Sequence, residues 1–289
     1  MNGIVQLQLW QFSLIYLLLL IVIFIMKRCS INRTKLLIVA SIKMTVQLIL
    51  SGLILTYIFE NPHPIFVVAY VSVMVWFSIH RVLSNNKDLN KRFKAVIALS
   101  IASSGLFVLL FFVCVVVGES IFNPQYVIPI SGMLMGNTMT GVSLGIKTFR
   151  ESLDGQRAKI NALLCFGASP KKILMPFVKQ SLETAMLPTI NSMIGMGVVS
   201  LPGMMTGQIL SGTLTTTAIL YQIAIMIAIC TMVTSASFGA LYFGYRTLYD
   251  SKKTDYLKKK SFLFSGSFFM FSFYFVIFRN RVLRLPELP

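Results

Sequence analysis

The run AVIALSIASSGLFVLLFFVCVVV, Ala95–Val117, carries no charged side chain and no proline across 23 residues. A helix of that length reaches about 34 Å, enough to cross a hydrocarbon core of roughly 30 Å. Working outward, six more runs have the same character: about Leu7–Met26, Leu36–Phe59, a short one at Ile65–Ile79, Tyr126–Ile146, Leu187–Ile209 and Thr217–Gly244. The whole chain agrees with them, since 56% of its residues are hydrophobic, 12% are charged, and the mean hydropathy is +0.78. Those values lie outside the range of soluble domains. The expectation is an all-α polytopic membrane protein with about seven transmembrane helices. The first run has neither a basic leader nor a small-residue cleavage site, so it reads as a retained span.

The formal charge of +17 invites a nucleic-acid reading, but its placement argues otherwise. Four of the 26 Lys and Arg fall in 27–35, five in 81–94, seven in 147–179 and six in 246–260. The alternate connections, 60–64, 118–125 and 206–216, hold none. This is the positive-inside pattern: it predicts an N-terminus outside, basic segments in the cytoplasm, and a multi-pass protein of the cell (plasma) membrane whose basic belt meets anionic lipids. No nucleic acid is expected as a partner. Cys29, Cys114, Cys165 and Cys230 are far apart and imply neither a disulfide framework nor a zinc motif.

After the transmembrane domain, residues 1–260, comes an apolar tail, 261–289. Its aromatic-rich stretch Ser261–Phe278 precedes Arg279, Arg281 and Arg284. An eighth span would put those arginines outside, against the rule, whereas an interfacial helix keeps them on one side. Both readings stand.

The largest cytoplasmic segment is 147–186, long for a mere connection. Phe149, Leu153, Ile160, Leu163, Leu164 and Phe166 fall on one helical face. Gly167 then suits a left-handed stop, and Ser169-Pro170 reads as the N-cap and first residue of a new helix. A short helix, a sharp turn and a second helix are expected. Lys171 and Lys172 occupy that helix's first turn, where the macrodipole disfavours cations; an acidic partner surface or lipid phosphates would offset the cost. Periodicity alone supports a membrane-lying hairpin as well as a docking element.

Within the spans, Gly132 with Gly136 and Gly141 with Gly145 form small-xxx-small repeats, which let helices approach closely in lipid. Between them Asn137, Thr138 and Thr140 need polar partners. No Asp or Glu falls in any of the seven runs, which counts against a proton-coupled carrier. His63 and His80 read as membrane-edge surface residues. Lys43, eight residues past Lys35, reads as a snorkelling side chain. Methionines are plentiful, and Met135, Met139, Met196 and Met204 are soft-metal candidates, although thioethers are also flexible packing groups.

The stretch SLPGMMTGQILSG, Ser200–Gly212, interrupts the sixth run. Pro202 and Gly203 are expected to stop its helix, with Gly207 and Gly212 turning the chain. A broken or re-entrant element survives at membrane depth only where protein or an aqueous cavity satisfies the freed backbone groups. A Pro kink in an ordinary helix is the alternative.

The segments MTVQLILSGLILTYIF, YVIPISGMLMGNTMTGVSLG, LLCFGASPKK and NSMIGMGVVSLPGMMTGQILSG give the chain a resemblance to the FetB family of ATP-binding-cassette permeases, which includes plant aluminium-tolerance half-transporters. The resemblance runs from about Lys43 to Arg246. It implies a permease domain, associated in bacterial members with iron export, that works as a homodimer with a separate cytoplasmic ATPase subunit. It also makes NALLCFGASPKK similar to a coupling loop, with Asn161, Ala162, Gly167, Ser169, Lys171 and Lys172 as docking residues. Asn161 departs from the acidic residue some permeases carry there. Near the matching motifs, Gln47, Asn137, Thr140, Asn191, Ser200, Pro202, Gly203, Thr206 and Gln208 are expected to line or gate a path.

No G-x-x-x-x-G-K-[ST] loop occurs, so ATP and Mg would be bound by the partner and no cofactor by this chain, which is not expected to be an enzyme alone. An energy-independent carrier or channel and a non-transporting membrane scaffold are the rival readings.

Overall fold

The structure, a computed structural model, describes residues 9–86 and 89–247. The two readings of 261–289 lie outside them. The described residues are helical nearly throughout: α1 (Leu9–Arg28), α2 (Thr34–Glu60), α3 (Pro64–Ser84), α4 (Lys91–Phe111), α5 (Pro124–Gly155), α6 (Arg157–Cys165), α7 (Pro170–Gly195), α8 (Gly203–Leu210) and α9 (Thr215–Phe238). Wider π turns extend α4 over Phe112–Val117 and α9 over Gly239–Phe243.

Among the described residues five helical stretches are long and apolar enough to span a bilayer: Trp10–Arg28, Thr34–Glu60, Pro64–Ser84, Lys91–Val117 and Thr215–Thr247. The run expected to be short, Ile65–Ile79, is a full helix of 21 residues because Pro64 starts it at N1 and His63 caps it, its Nδ1 accepting from the Ile65 N–H at 3.3 Å. The chain is a polytopic, all-helical membrane protein.

The fifth and sixth runs behave differently. Tyr126–Ile146 lies within α5, 32 residues long and more polar than the five. Leu187–Ile209 is not one helix: α7 begins at Pro170 and ends at Gly195, and α8 starts only at Gly203. Lys171, Lys172, Lys179 and Glu183 lower the hydropathy of α7, and Pro176 and Pro188 inside it do not stop the helix.

The core gathers around α5, which packs on α3, α7 and α9, with α4 against α9 behind it. Phe93, Ile97 and Ile101 of α4, Leu134, Val142, Ile146 and Phe149 of α5, and Met232, Val233 and Ala236 of α9 are all buried. The Phe93 and Phe149 rings stack 6.5 Å apart, and Gly244 leaves room for Phe93 beside it. The hairpin α1–α2 adds little to this core, touching α5 through α2 and burying Ile58. No residue in the most apolar stretch of either helix is buried. Tyr16 of α1 and Thr45 of α2 share a hydroxyl hydrogen bond of 2.5 Å, and Tyr57 of α2 meets Phe66 of α3 edge-on.

Candidate functional site

The two most polar long helices face each other. A Cβ added to Gly141 would lie 3.0 Å from the Ala185 carbonyl oxygen, and one on Gly145 would lie 3.0 Å from Ala185 Cβ and 3.1 Å from the Ser181 carbonyl oxygen. These glycines therefore seat α5 directly on α7, as small residues do between membrane helices. Gly132 and Gly136 of the other repeat do no such work: Gly136 has no heavy atom within 4 Å of its would-be Cβ, and Gly132 meets only the Met74 side-chain end at 3.3 Å.

The pairing sets an antiparallel register, Gly145 with Ser181 and Gly141 with Ala185. Asn137, Thr140 and Asn191 are exposed, and the register brings Asn191 to within about one turn of Asn137. Asn137 Nδ2 donates to the Met133 carbonyl at 2.8 Å and Thr140 Oγ1 to the Gly136 carbonyl at 3.1 Å, so both side chains satisfy themselves on their own helix. Thr138 differs: it is fully buried, and its hydroxyl has no partner among the described residues.

On α7 the exposed side also carries Gln180 and Glu183, which the sequence reading had placed in a cytoplasmic loop. Because α7 is continuous from Pro170, Glu183 sits mid-helix, between the levels of Gly145 and Gly141 and one turn beyond Lys179. A carboxylate therefore lies midway along a long helix of the bundle, just before the sixth apolar run begins at Leu187. Pro188 has no N–H to give the Thr184 carbonyl, which opens a backbone acceptor one residue from Glu183.

The interruption is real but begins earlier than expected. Gly197, with φ of 84°, turns the chain after α7, and its N–H donates to the Ser200 carbonyl at 2.9 Å. Pro202 then takes an extended conformation, φ −65° and ψ 144°, as the N-cap residue of α8. It starts a helix instead of stopping one, as its fixed φ suits. Gly203, Thr206, Gly207 and Gln208 belong to α8, and the turn beyond it uses Gly212, φ 96°, and not Gly207. Ser200 is exposed, while Thr206 donates to the Pro202 carbonyl at 3.0 Å. Val198 and Val199, 91% and 86% exposed, project from the break.

Gln47 is exposed on α2, away from these residues in the chain. Met135 is buried where Gly105 of α4 leaves space, and Met196 accepts from Gln222 Nε2 of α9 at 3.7 Å. Met139 and Met204 pack against the core as partly buried side chains. Among the described residues no cluster of three His, Cys, Asp or Glu side chains is arranged to hold a metal. Gln222, a buried amide inside an apolar helix, was not singled out from sequence because an isolated glutamine there carries no periodic signal.

At the basic end of the pair, α6 and the start of α7 form the expected helix, turn and helix. Gly167 takes φ of 80°, and Ser169 is the N-cap residue before Pro170, though its hydroxyl makes no capping bond. Ile160 is buried and Leu163 and Leu164 are half-buried, as the apolar face predicts. Phe166 does not join that face: α6 ends at Cys165, and Phe166 is left 88% exposed at the tip. Asn161, Ala162, Gly167, Ser169, Lys171 and Lys172 are exposed around it.

Residues 9–249 match the model of the uncharacterised protein family UPF0014. The UPF0014 membrane protein YjkA of Bacillus subtilis is 31% identical over 78% of this chain and 88% of its own length. The probable iron export permease protein FetB of Escherichia coli is 30% identical over 72% of this chain and 79% of its own. The protein ALUMINUM SENSITIVE 3 of Arabidopsis thaliana is 30% identical over 68% of this chain and 71% of its own. None of these three carries the name of an enzyme. No solved structure matches the chain. With its helical bundle and this match over most of its length, the chain belongs to the UPF0014 family of membrane proteins.

Proposed function

We propose that the chain is the membrane permease subunit of an ATP-binding-cassette exporter, working as a homodimer with a separate cytoplasmic ATPase that supplies ATP and Mg. The observation that carries the reading is the tip around Phe166, joined without interruption to α7. An aromatic ring left 88% exposed at the tip, a few residues before the exposed Lys171 and Lys172, suits an interface anchor. From the tip, α7 runs 26 residues, about 39 Å, as one rod into the polar pair with α5. A push on the tip is thereby delivered to Asn137, Thr140, Glu183 and Asn191, and onward to the break at Gly197.

In this mechanism closure of the ATPase dimer displaces 147–186, and α5 and α7 shift against their neighbours. A path between permeases then opens toward the face opposite the basic belt. Gln47, Ser200, Pro202, Gly203, Thr206 and Gln208 contribute to lining or gating it. The N-terminus lies outside and the protein resides in the plasma membrane, as the distribution of Lys and Arg supports. The cargo is iron or another metal, a reading that rests on the name of the E. coli relative.

The test is gentle purification of the tagged chain from host membranes, followed by an ATPase assay of the preparation, with and without residues 161–172. Co-purification of an ATPase that is lost with the deletion is the expected result. Absence of any ATPase, under conditions that preserve a known cassette complex, favours the carrier or the scaffold.

A further inference from the structure

The seam between α5 and α7 has one open flank. The helices run antiparallel where Gly141 meets Ala185, so residues that turn from that contact in matching directions share a side. At about 100° per residue, Asn137 and Thr140 lie about 40° and 100° round from Gly141. Toward the same flank, Ser192, Pro188, Thr184 and Asn191 lie about 20°, 60°, 100° and 120° round from Ala185. Their exposure agrees: Thr184 is half-buried and the other five are exposed, whereas Thr138 and Thr189 on the opposite flank are buried. All six fall within about 12 Å along the seam, and Glu183 turns away from them.

What these groups offer outward follows from the bonds they already make. A carbonyl can only accept, so each hydroxyl bonded to one has spent its proton. Thr140 donates to the Gly136 carbonyl at 3.1 Å, Thr184 to that of Gln180 at 2.9 Å and Ser192 to that of Pro188 at 2.9 Å. Asn137 spends one N–H on the Met133 carbonyl at 2.8 Å and keeps its Oδ1. Pro188 has no N–H for the Thr184 carbonyl, which adds a backbone acceptor on the same flank. Asn137 and Asn191 retain N–H groups, but oxygen acceptors outnumber them. No Lys or Arg falls in 133–146 or 180–195.

A surface of spent hydroxyls and carbonyls repels anions and suits a ligand that brings both donors and positive charge. It is a poor site for direct metal ligation, since among the described residues no three His, Cys, Asp or Glu side chains come together. We propose that this groove binds a cation through the hydrogen-bond donors that the cation carries: the water shell of a metal ion or the N–H groups of an ammonium. A metal held this way keeps its waters, as a reluctantly dehydrating ion does. Thr140, Thr184, Ser192 and Asn137 supply side-chain oxygens, and the Thr184 carbonyl supplies a fixed one. The site deepens the exporter reading and rests on it for treating the bound cation as cargo.

The test uses the full chain, purified in a neutral detergent, with Cys29, Cys114, Cys165 and Cys230 replaced by serine. Gly136→Cys puts a reporter thiol beside the groove, where a Cβ meets no heavy atom within 4 Å, and its alkylation by a maleimide is timed. Hexaamminecobalt(III), whose N–H shell cannot be displaced, is expected to slow alkylation along with magnesium if the donors are those of a metal's shell. Methylammonium is expected to do so if they are those of an amine, and either result sustains the proposal. Protection by none of the three overturns it. So does protection by magnesium without hexaamminecobalt(III), which would mean direct ligation, or equal protection by tetramethylammonium, which has no donor. Thr184→Val should raise the half-protecting concentration roughly tenfold, as loss of a charge-assisted bond does, while Thr184→Ser restores it. Thr231→Val removes an exposed hydroxyl of α9 that bonds the Ile227 carbonyl at 2.8 Å and should change nothing. Equal effects of Thr184→Val and Thr231→Val overturn the site. Protection is read without the ATPase. Protection without ATPase capture keeps the site and removes the exporter reading, whereas ATPase capture without protection does the reverse.

Discussion

Gly141 of α5 lies against Ala185 of α7 so closely that a Cβ on the glycine would stand 3.0 Å from the alanine carbonyl oxygen, and 2.6 Å from Val233 Cγ1 of α9. Three helices meet at this point, and backbone leaves little room to yield. Gly141→Leu is therefore expected to cost about 1–3 kcal/mol through overpacking. Gly136→Ala, one turn away on the open side, should be neutral or add about 0.5–1 kcal/mol through helix propensity. Unfolding of the purified protein in one detergent compares the two, and equal losses would contradict the packing described.

Thr138 and Ser237 each bury a hydroxyl that has no hydrogen-bond partner among the described residues. An unsatisfied buried polar group costs about 1–3 kcal/mol. Thr138→Val keeps the shape and removes the group, so it should raise the midpoint of thermal unfolding. A lowered midpoint would show that the hydroxyl has a partner in the assembled protein.

At the tip, Gly167 adopts φ of 80°, where an L side chain is disfavoured by roughly 1–2 kcal/mol. Gly167→Ala should lower stability by about that amount and loosen capture of the proposed ATPase partner. Phe166→Ala separates the two effects: an exposed side chain leaves stability within about 0.5 kcal/mol, while its loss from the proposed docking surface is expected to weaken capture at least roughly tenfold. Unchanged capture by Phe166→Ala would remove the ring from the docking surface.

The break after α7 depends on Gly197 more than on Pro202. Gly197→Ala meets the left-handed cost of about 1–2 kcal/mol, whereas Pro202→Ala, at an extended N-cap position, should change stability by no more than about 0.5 kcal/mol. If transport is reconstituted, unchanged flux in Pro202→Ala at equal expression excludes that residue from gating. The larger effect is expected from Gly197→Ala.

Apolar length alone made five of the long helices legible in the sequence, and the corner at Gly167-Ala168-Ser169-Pro170 could be read from the turn glycine and the proline at the helix start. The boundary of α7 could not be read in the same way. Lys179, Glu183, Pro176 and Pro188 resemble loop chemistry one residue at a time, and only packing on Gly141 and Gly145 shows that they ride on one helix. For the same reason Glu183 escaped notice, although its charge was plain. Pro202 misled in a different manner: a proline before a helix and a proline ending one look alike until the backbone turn at Gly197 is seen. Phe166 fitted the apolar period of α6, but the helix ends one residue before it.

The largely uncovered hairpin α1–α2 has a consequence for how the protein responds to its surroundings. Lipid covers these two helices in a single copy about as well as protein would, so little hydrophobic drive holds them in place. Under the proposed homodimer, association in a membrane follows surface density, and dilution with added lipid should pull copies apart by mass action. In that proposed assembly, expression level itself would set how much of the chain is paired.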